Sequence, residues 1–336
     1  MSKPEATPVV ITDPVERAKR YRPRGEEIRL NPELPPRPSW MKVKAATHGR
    51  AIELETLVRH QKLHTVCESA HCPNRGECWA AGTATIMILG NICTRACGFC
   101  AVKTGRPTEY DLEEPARVAA TIETMKLAYV VVTSVDRDDL ADGGAEVWAR
   151  TVRAIRERTP KVGIEVLVPD FAGVEASQRI VFEARPHIFA HNLETVKRLH
   201  ATVRPQARYE RTMEILRRAG EFRLITKSGM MLGIGETNVE VLEAMRDLRA
   251  VGCSILTLGQ YLQPTPAHLP IERWVHPDEF AELKTQALAM GFRKCDAGPL
   301  VRSSYHAESA MNPDSELAGS ITEAIARDTT TGKAVT

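Results

Sequence analysis

Six of the eight cysteines of this chain fall between residues 67 and 100, in two groups of three. Cys93, Cys97 and Cys100 make C-x3-C-x2-C within "NICTRACGFC", and Cys67, Cys72 and Cys78 make C-x4-C-x5-C within "CESAHCPNRGEC". Thiolates are soft ligands, and a short loop with the first spacing can wrap three of them around one face of an iron–sulfur cubane. Three ligands for four irons leave one iron open to an outside group. Electron-transfer clusters usually have every iron ligated by protein, so an open iron points to catalysis. The competing reading is structural zinc, which calls for four ligands and commonly C-x2-C pairs. For the upstream group, zinc would be completed by His64 or His71. Otherwise that group holds a second cluster, again one ligand short, whose last ligand comes from elsewhere in the chain.

The rest of the composition is that of an ordinary globular protein. Of 336 residues, 43% are hydrophobic and 26% charged, enough for one large α/β barrel or two modest domains. A formal charge of +2 gives no field strong enough to imply nucleic-acid binding. No apolar run approaches the roughly 18 residues of a membrane-spanning helix. The first residues, "MSKPEATPVVITDPVERAKR", lack an apolar signal core and carry Glu5, Asp13 and Glu16, which argues against a transit peptide. The expected location is the reducing cytoplasm, where clustered thiols bind metal or catalyse rather than form disulfides. Cys253 and Cys295 stand alone in apolar stretches and read as buried structural thiols.

Elements that would position the cysteines follow from periodicity. Strands are expected at 83–90, 128–135, 162–168, 187–193, 222–232 and 254–262, with helices at 143–158, 174–184, 206–219, 238–251 and 277–290. This βα alternation predicts a parallel sheet with right-handed crossovers. No G-x-G-x-x-G opens a helix after the first strand, so a partial barrel is preferred to a dinucleotide-binding sheet. Barrel chemistry sits at the C-terminal strand ends, and Cys93–Cys100 follow the first strand. Residues 1–48 read as an extended Pro-rich arm, 49–82 as a helix and the upstream cysteine segment, 83–300 as the barrel, and 301–336 as a C-terminal segment with a frayed, disordered tail.

"CTRACGFC" resembles the cluster loop of radical S-adenosylmethionine enzymes, including the aromatic Phe99 before the last cysteine. With "LHTVCESAHCPNRGECW", "DDLADGGA", "VLVPDF", "AHNLETV", "MLGIGET", "QYLQP" and "GPLVRSSYHA", the chain from about residue 40 to 307 is similar to the lipoyl synthase family. The resemblance implies a partial (β/α)6 barrel and two [4Fe–4S] clusters. One, on Cys93, Cys97 and Cys100, binds S-adenosyl-L-methionine at its open iron and generates a 5′-deoxyadenosyl radical. The other, an auxiliary cluster on Cys67, Cys72 and Cys78, takes a serine of "RSSY" as fourth ligand: Ser304, with Ser303 its less favoured neighbour. From sequence alone those serines read as a turn or a helix cap.

The implied reaction inserts sulfur at C6 and C8 of an octanoyl chain on a lysine of a carrier protein, with the auxiliary cluster as donor. Those C–H bonds are unactivated, so a cofactor must supply the radical and the protein positions it. The carrier would be a glycine-cleavage H protein or a dehydrogenase E2 lipoyl domain. An electron donor such as flavodoxin or ferredoxin and a cluster-repair carrier are also implied. Cofactor contacts are expected from Gly143, Gly144, Asn192, Glu194, Lys227, Ser228, Gly233 and Gly235, although the glycines equally read as ordinary turns. Arg302 reads either as a guide for the acyl-lysine or as a solvated charge. Other radical sulfur insertases, such as biotin synthase or a methylthiotransferase, fit less well, because the C-x4-C-x5-C group precedes the radical loop and "RSSYHA" follows. A non-catalytic zinc or iron–sulfur module is the alternative from outside enzymology.

Overall fold

The structure, a computed structural model, describes residues 31–42, 56–61, 63–70, 72–80, 85–108, 110–312, 315 and 317–331. His71, most of the arm and half of the helix expected at 49–64 lie outside these residues. Of that helix, residues 56–60 are described and helical.

Ten strands are described. Eight of them, taken in the order His64–Thr65 (β1), Thr85–Ile88 (β2), Tyr129–Ser134 (β5), Gly163–Leu167 (β6), Ile188–Ala190 (β7), Ile225–Leu232 (β8), Ile255–Gln260 (β9) and Lys294–Gly298 (β10), form one sheet. The β1 strand is antiparallel to β2, and every other neighbour pair is parallel. Ile92–Cys93 (β3) and Lys103–Thr104 (β4) pair separately and bracket the downstream cysteine loop. The expected α/β class and mostly parallel sheet are therefore present. Strand order follows chain order from β2 to β10, with a helix between each consecutive pair of parallel strands: Glu114–Met125, Ala145–Arg158, Glu175–Glu183, Tyr209–Glu221, Asn238–Ala250 and Pro277–Ala289.

The parallel strands from β2 to β9 in this sheet are buried on both faces, as parallel sheets require, whereas the edge strand β10 is only partly buried. On β5, Val130 and Val132 pack among helix residues such as Val118, Ile122, Trp148 and Val152. Tyr129 and Val131, on the other face, join Ile188, Ile255, Ala307, Ala310, Leu317 and Ile321. The C-terminal segment therefore packs against the face turned away from the helices.

Several boundaries differ from expectation. Residues 222–224 do not extend β8. Phe222 N–H and Leu224 N–H donate back to Arg218 and Ala219 carbonyls and close the preceding helix. The crossover helix Glu114–Met125 and the strand β10 were not anticipated. Of the tail expected to be frayed, the described residues, up to 331, belong to the helix Ala318–Thr331. Leu317, Ile321 and Ile325, four residues apart, supply the apolar stripe that docks it. Of the arm, residues 31–42 lie along 269–276: Trp274 Nε1–H donates to Pro35 O at 2.8 Å, and Trp40 meets the His276 ring edge-on.

Candidate iron–sulfur centres

The downstream loop starts at β3, beyond the C-terminal end of β2, and is tied down at nearly every residue. Thr94 N–H and Oγ1–H donate to Asp136 O, each at 3.0 Å, and Ala96 N–H donates to Gln206 Oε1 at 3.2 Å. Gly98 N–H donates to Val203 O, and Gly98 O accepts from Leu269 N–H. A Cβ at Gly98 would come within 2.8 Å of the Leu269 side chain, which would have to shift to admit one. His268 Nε2 lies 3.1 Å from Cys100 O. Phe99 packs near Ile234, Tyr261 and Met231, which brings the "GIGE" turn beside the loop.

Between the first two cysteines, Arg95 points into the protein. Its guanidinium grips Asp138 with two bonds of 2.7 and 2.8 Å, reaches Asp170 at 2.6 Å and lies 3.2 Å from Asp136. Arg211 takes the other Asp170 oxygen at 2.9 Å. Burial opposes charge on Asp170, but the hydrogen bond and charge of Arg95, with His191 and the Arg211 hydrogen bond, together outweigh it and hold the carboxyl well below the usual range. Sequence reasoning passed over Arg95, although its place inside the cysteine loop was a signal.

The thiols are costly to bring together unaided. Burial, then Asp136, raises the Cys93 thiol well above its ordinary value, and burial pushes Cys97 up to about 12. Asp136 N–H donates to Cys93 Sγ at 3.3 Å. Cys93 and Cys97 become thiolates together only beside strong positive charge, which iron supplies. The donor set fits a cluster.

The upstream triplet surrounds one cavity, lined by Cys67, Cys72, Asn74, Arg75, Cys78, Thr85, Arg302, Ser304 and Tyr305. The serine turn reaches it from the far end of the sheet. Asn74 Nδ2–H donates to Leu300 O at 2.6 Å, Tyr305 O–H to Glu77 at 3.1 Å, and Thr85 Oγ1–H to Ser304 Oγ at 2.7 Å. Ser304 lines the cavity; Ser303 does not. Burial, then Cys72 and Cys67, pushes Cys78 up to about 12, and burial also raises Cys67. Arg302 lines the same cavity. Among the described residues no carboxylate lies within ion-pair distance of it, so this desolvated cation faces the site where thiolates would gather. An anionic cluster fits that arrangement. Among the described residues, no group of three or more His, Cys, Asp or Glu is placed to hold a single metal ion.

The expected cofactor residues all follow C-terminal strand ends or lie within β8, but most are already engaged. Gly143 and Gly144 adopt left-handed φ of 63° and 85° and open the helix Ala145–Arg158, and a Cβ at Gly144 would lie 2.5 Å from Leu89. Asn192 Nδ2–H donates to Glu194 at 3.0 Å, while Asn192 Oδ1 is buried without a partner. Burial raises the Glu194 carboxyl, with Arg204 opposing. Ser228 Oγ accepts from Leu193 N–H. Gly233 N–H and Ile234 N–H both donate to the Glu236 carboxylate, and Gly235 O accepts from Arg198.

Lys227 Nζ donates to Glu165 at 2.7 Å, with side chains 5% and 1% exposed, and Tyr129 O–H donates to the other Glu165 oxygen. Lys227→Met is therefore expected to lose about 3 to 5 kcal/mol of stability in urea denaturation, because it strands a buried carboxylate. Adding Glu165→Gln should return part of that loss. Unchanged stability with weakened cofactor binding would mean that the lysine serves the cofactor instead.

Two histidines near this site carry a pH dependence. Burial, reinforced by Arg204, lowers His191 and His200 to about 4. Both are depressed from 6.5, so the stability they contribute is present above pH 6.5 and is lost as pH falls through 6.5 toward 4. The urea midpoint should fall between pH 7 and 5, and less steeply in His200→Gln.

Comparison with known proteins completes the site. Residues 87–248 match the radical SAM superfamily. Curated lipoyl synthases from Shouchella clausii and Geobacillus sp. strain WCH70 are each 57% identical over 279 residues, or 82% of this chain and 90% and 94% of theirs. Among solved structures, Streptococcus suis SuiB bound to S-adenosylmethionine aligns at a TM-score of 0.52 and 10% identity. That alignment covers 72% of this chain and 56% of SuiB, a likeness of fold. With 57% identity across 82% of its length, the chain belongs to the lipoyl synthase family within the radical SAM superfamily.

Proposed function

We propose that this chain inserts two sulfur atoms, at C6 and C8, into an octanoyl group carried on a protein lysine. The observation that carries this reading is the single cavity shared by Cys67, Cys72, Cys78 and Ser304. It supports a second cluster, beyond the one every radical SAM enzyme uses, with three thiolates and one serine oxygen. Oxygen is a harder and weaker partner for cluster iron than sulfur, which suits a centre that must give up sulfur.

On this reading Cys93, Cys97 and Cys100 hold the radical cluster, and the six βα units form a partial (β/α)6 barrel. Terminal segments 49–82 and 301–336 supply the auxiliary centre. When bound, the radical cluster and S-adenosylmethionine provide the means to remove hydrogen from unactivated carbons. The chain's own part is placement. Arg95 and its three aspartates fix the cysteine loop, and Asn192 and Glu194 present a buried amide oxygen and a carboxyl beside Arg204 for cofactor polar groups. The "RSSY" turn brings Ser304 against β2. The acyl-lysine would come from an H protein or E2 lipoyl domain, with flavodoxin or ferredoxin as reductant and a cluster carrier restoring the auxiliary centre, in a reducing cytoplasm. No helix among the described residues is long and apolar enough to cross a membrane.

The test is anaerobic. Reconstituted protein receives S-adenosylmethionine, dithionite and an octanoyl-lysine peptide, and product is followed by mass spectrometry. A dithiolated peptide from the wild type, lost in Ser304→Ala, is the expected result. 5′-Deoxyadenosine from a wild type that never adds sulfur would keep the radical enzyme and reject this substrate.

A further inference from the structure

We infer that Thr85 is a positioning residue of the auxiliary centre, holding its serine ligand, Ser304, in the cavity; this rests on the reading of Ser304 as the fourth ligand. Thr85 is the first residue of β2, is 2% exposed and lines the cavity itself. Its hydroxyl donates to Ser304 Oγ at 2.7 Å. Cys67 lines the same cavity.

The placement matters because the ligands come from opposite ends of the chain. Cys67 lies on the short helix Val66–Ser69, reached through β1, which pairs with β2 at Thr65↔Ile86. Ser304 arrives after β10, at the other edge of the sheet, 219 residues from Thr85. Two further side-chain bonds, from Asn74 to Leu300 and from Tyr305 to Glu77, dock the turn but leave the Ser304 side chain free to rotate. A serine hydroxyl has three staggered rotamers of similar energy. The Thr85 bond selects the one whose oxygen points into the cavity. Thr85 is anchored in return: its backbone registers with Val131 in the parallel ladder. A buried strand of the sheet is thus coupled to the weakest ligand of the centre.

The experiment follows iron in the anaerobically reconstituted, full-length holoprotein labelled with the Mössbauer isotope of iron. The two readouts are the spectral signature of an oxygen-ligated iron and the rate of iron loss to a ferrous chelator. Thr85→Val keeps shape and removes the hydroxyl; Thr85→Ser restores it. Thr85→Val should lose auxiliary iron about five-fold faster than wild type, the equivalent of one ordinary hydrogen bond, with Thr85→Ser close to wild type. In a Ser304→Ala background, adding Thr85→Val should change the rate by less than it does alone. Wild-type iron loss in Thr85→Val, with fast loss in Ser304→Ala, would overturn the role of Thr85 while leaving Ser304 a ligand. An unchanged spectrum in Ser304→Ala would instead overturn the ligand reading, and this inference with it. Thr85→Ala, judged by the same readouts, substitutes if the valine variant does not fold.

Discussion

Cys67→Ala should abolish sulfur insertion while 5′-deoxyadenosine still forms. The two cysteine groups are built by different parts of the chain. Cys67 sits on the helix Val66–Ser69 and lines one cavity with Thr85 and Ser304. The radical loop is held by Arg95, Asp136, Gln206 and Val203, none of which lines the upstream cavity. Removing one of three thiolates from a centre already completed by a weak serine oxygen leaves too few donors to keep it. The loss of dithiolated peptide should therefore be complete within detection, and deoxyadenosine release should persist at a rate comparable to wild type. Chromatographic detection of both products in one reaction checks it. Loss of both products together would mean that the two centres fold as one unit.

Arg95→Met should produce the opposite pattern: a chain that keeps auxiliary iron and fails to hold the radical cluster. Arg95 and Asp170 are 3% and 1% exposed, and their contact is 2.6 Å. Removing the cation leaves Asp170 with Arg211 as its one cationic partner and leaves the half-buried Asp136 beside Cys93. Breaking a buried pair in this way costs about 3 to 5 kcal/mol. The strain falls on a loop in which Cys93 and Cys97 already resist ionisation. Arg95→Lys keeps the charge but cannot reproduce the planar fork that holds both Asp138 oxygens, so it should recover only part of the loss. Urea denaturation with iron and sulfide analysis reads both effects.

The metal chemistry was legible because each cysteine group is local: ligands within eleven residues reveal themselves by spacing. Ser304 was not legible from its neighbours, since it becomes a candidate ligand only where a turn after β10 meets Thr85 on β2. Arg302 shows the same limit. As a lone charge it reads as solvated, yet it faces the thiol cavity. Strands β2 and β5 announced themselves as apolar runs, whereas β10 did not. Its register sets Lys294 and Asp296 beside the inward Ile255 and Thr257, and they pair with each other, so the apolar signal is diluted. The helix Glu114–Met125 carries Val118, Ile122 and Met125 at helical spacing, but the preceding "RPTEYDLEEP" reads as loop. The glycines proposed to cradle a cofactor show how one signal serves two jobs. Gly144 and Gly233 are demanded by contacts with Leu89 and with Gln260 and the Arg273 carbonyl, whatever else they do.

The most direct test of the central claim, that one cysteine group makes the radical and the other supplies the sulfur, is an isotope transfer. The protein is reconstituted with heavy-isotope sulfide, freed of excess sulfide, and allowed one turnover on an octanoyl-lysine peptide with S-adenosylmethionine and dithionite. A lipoyl product carrying heavy sulfur at both positions, formed as auxiliary-cluster iron is released, is the predicted result. A product whose sulfur is unlabelled would contradict it.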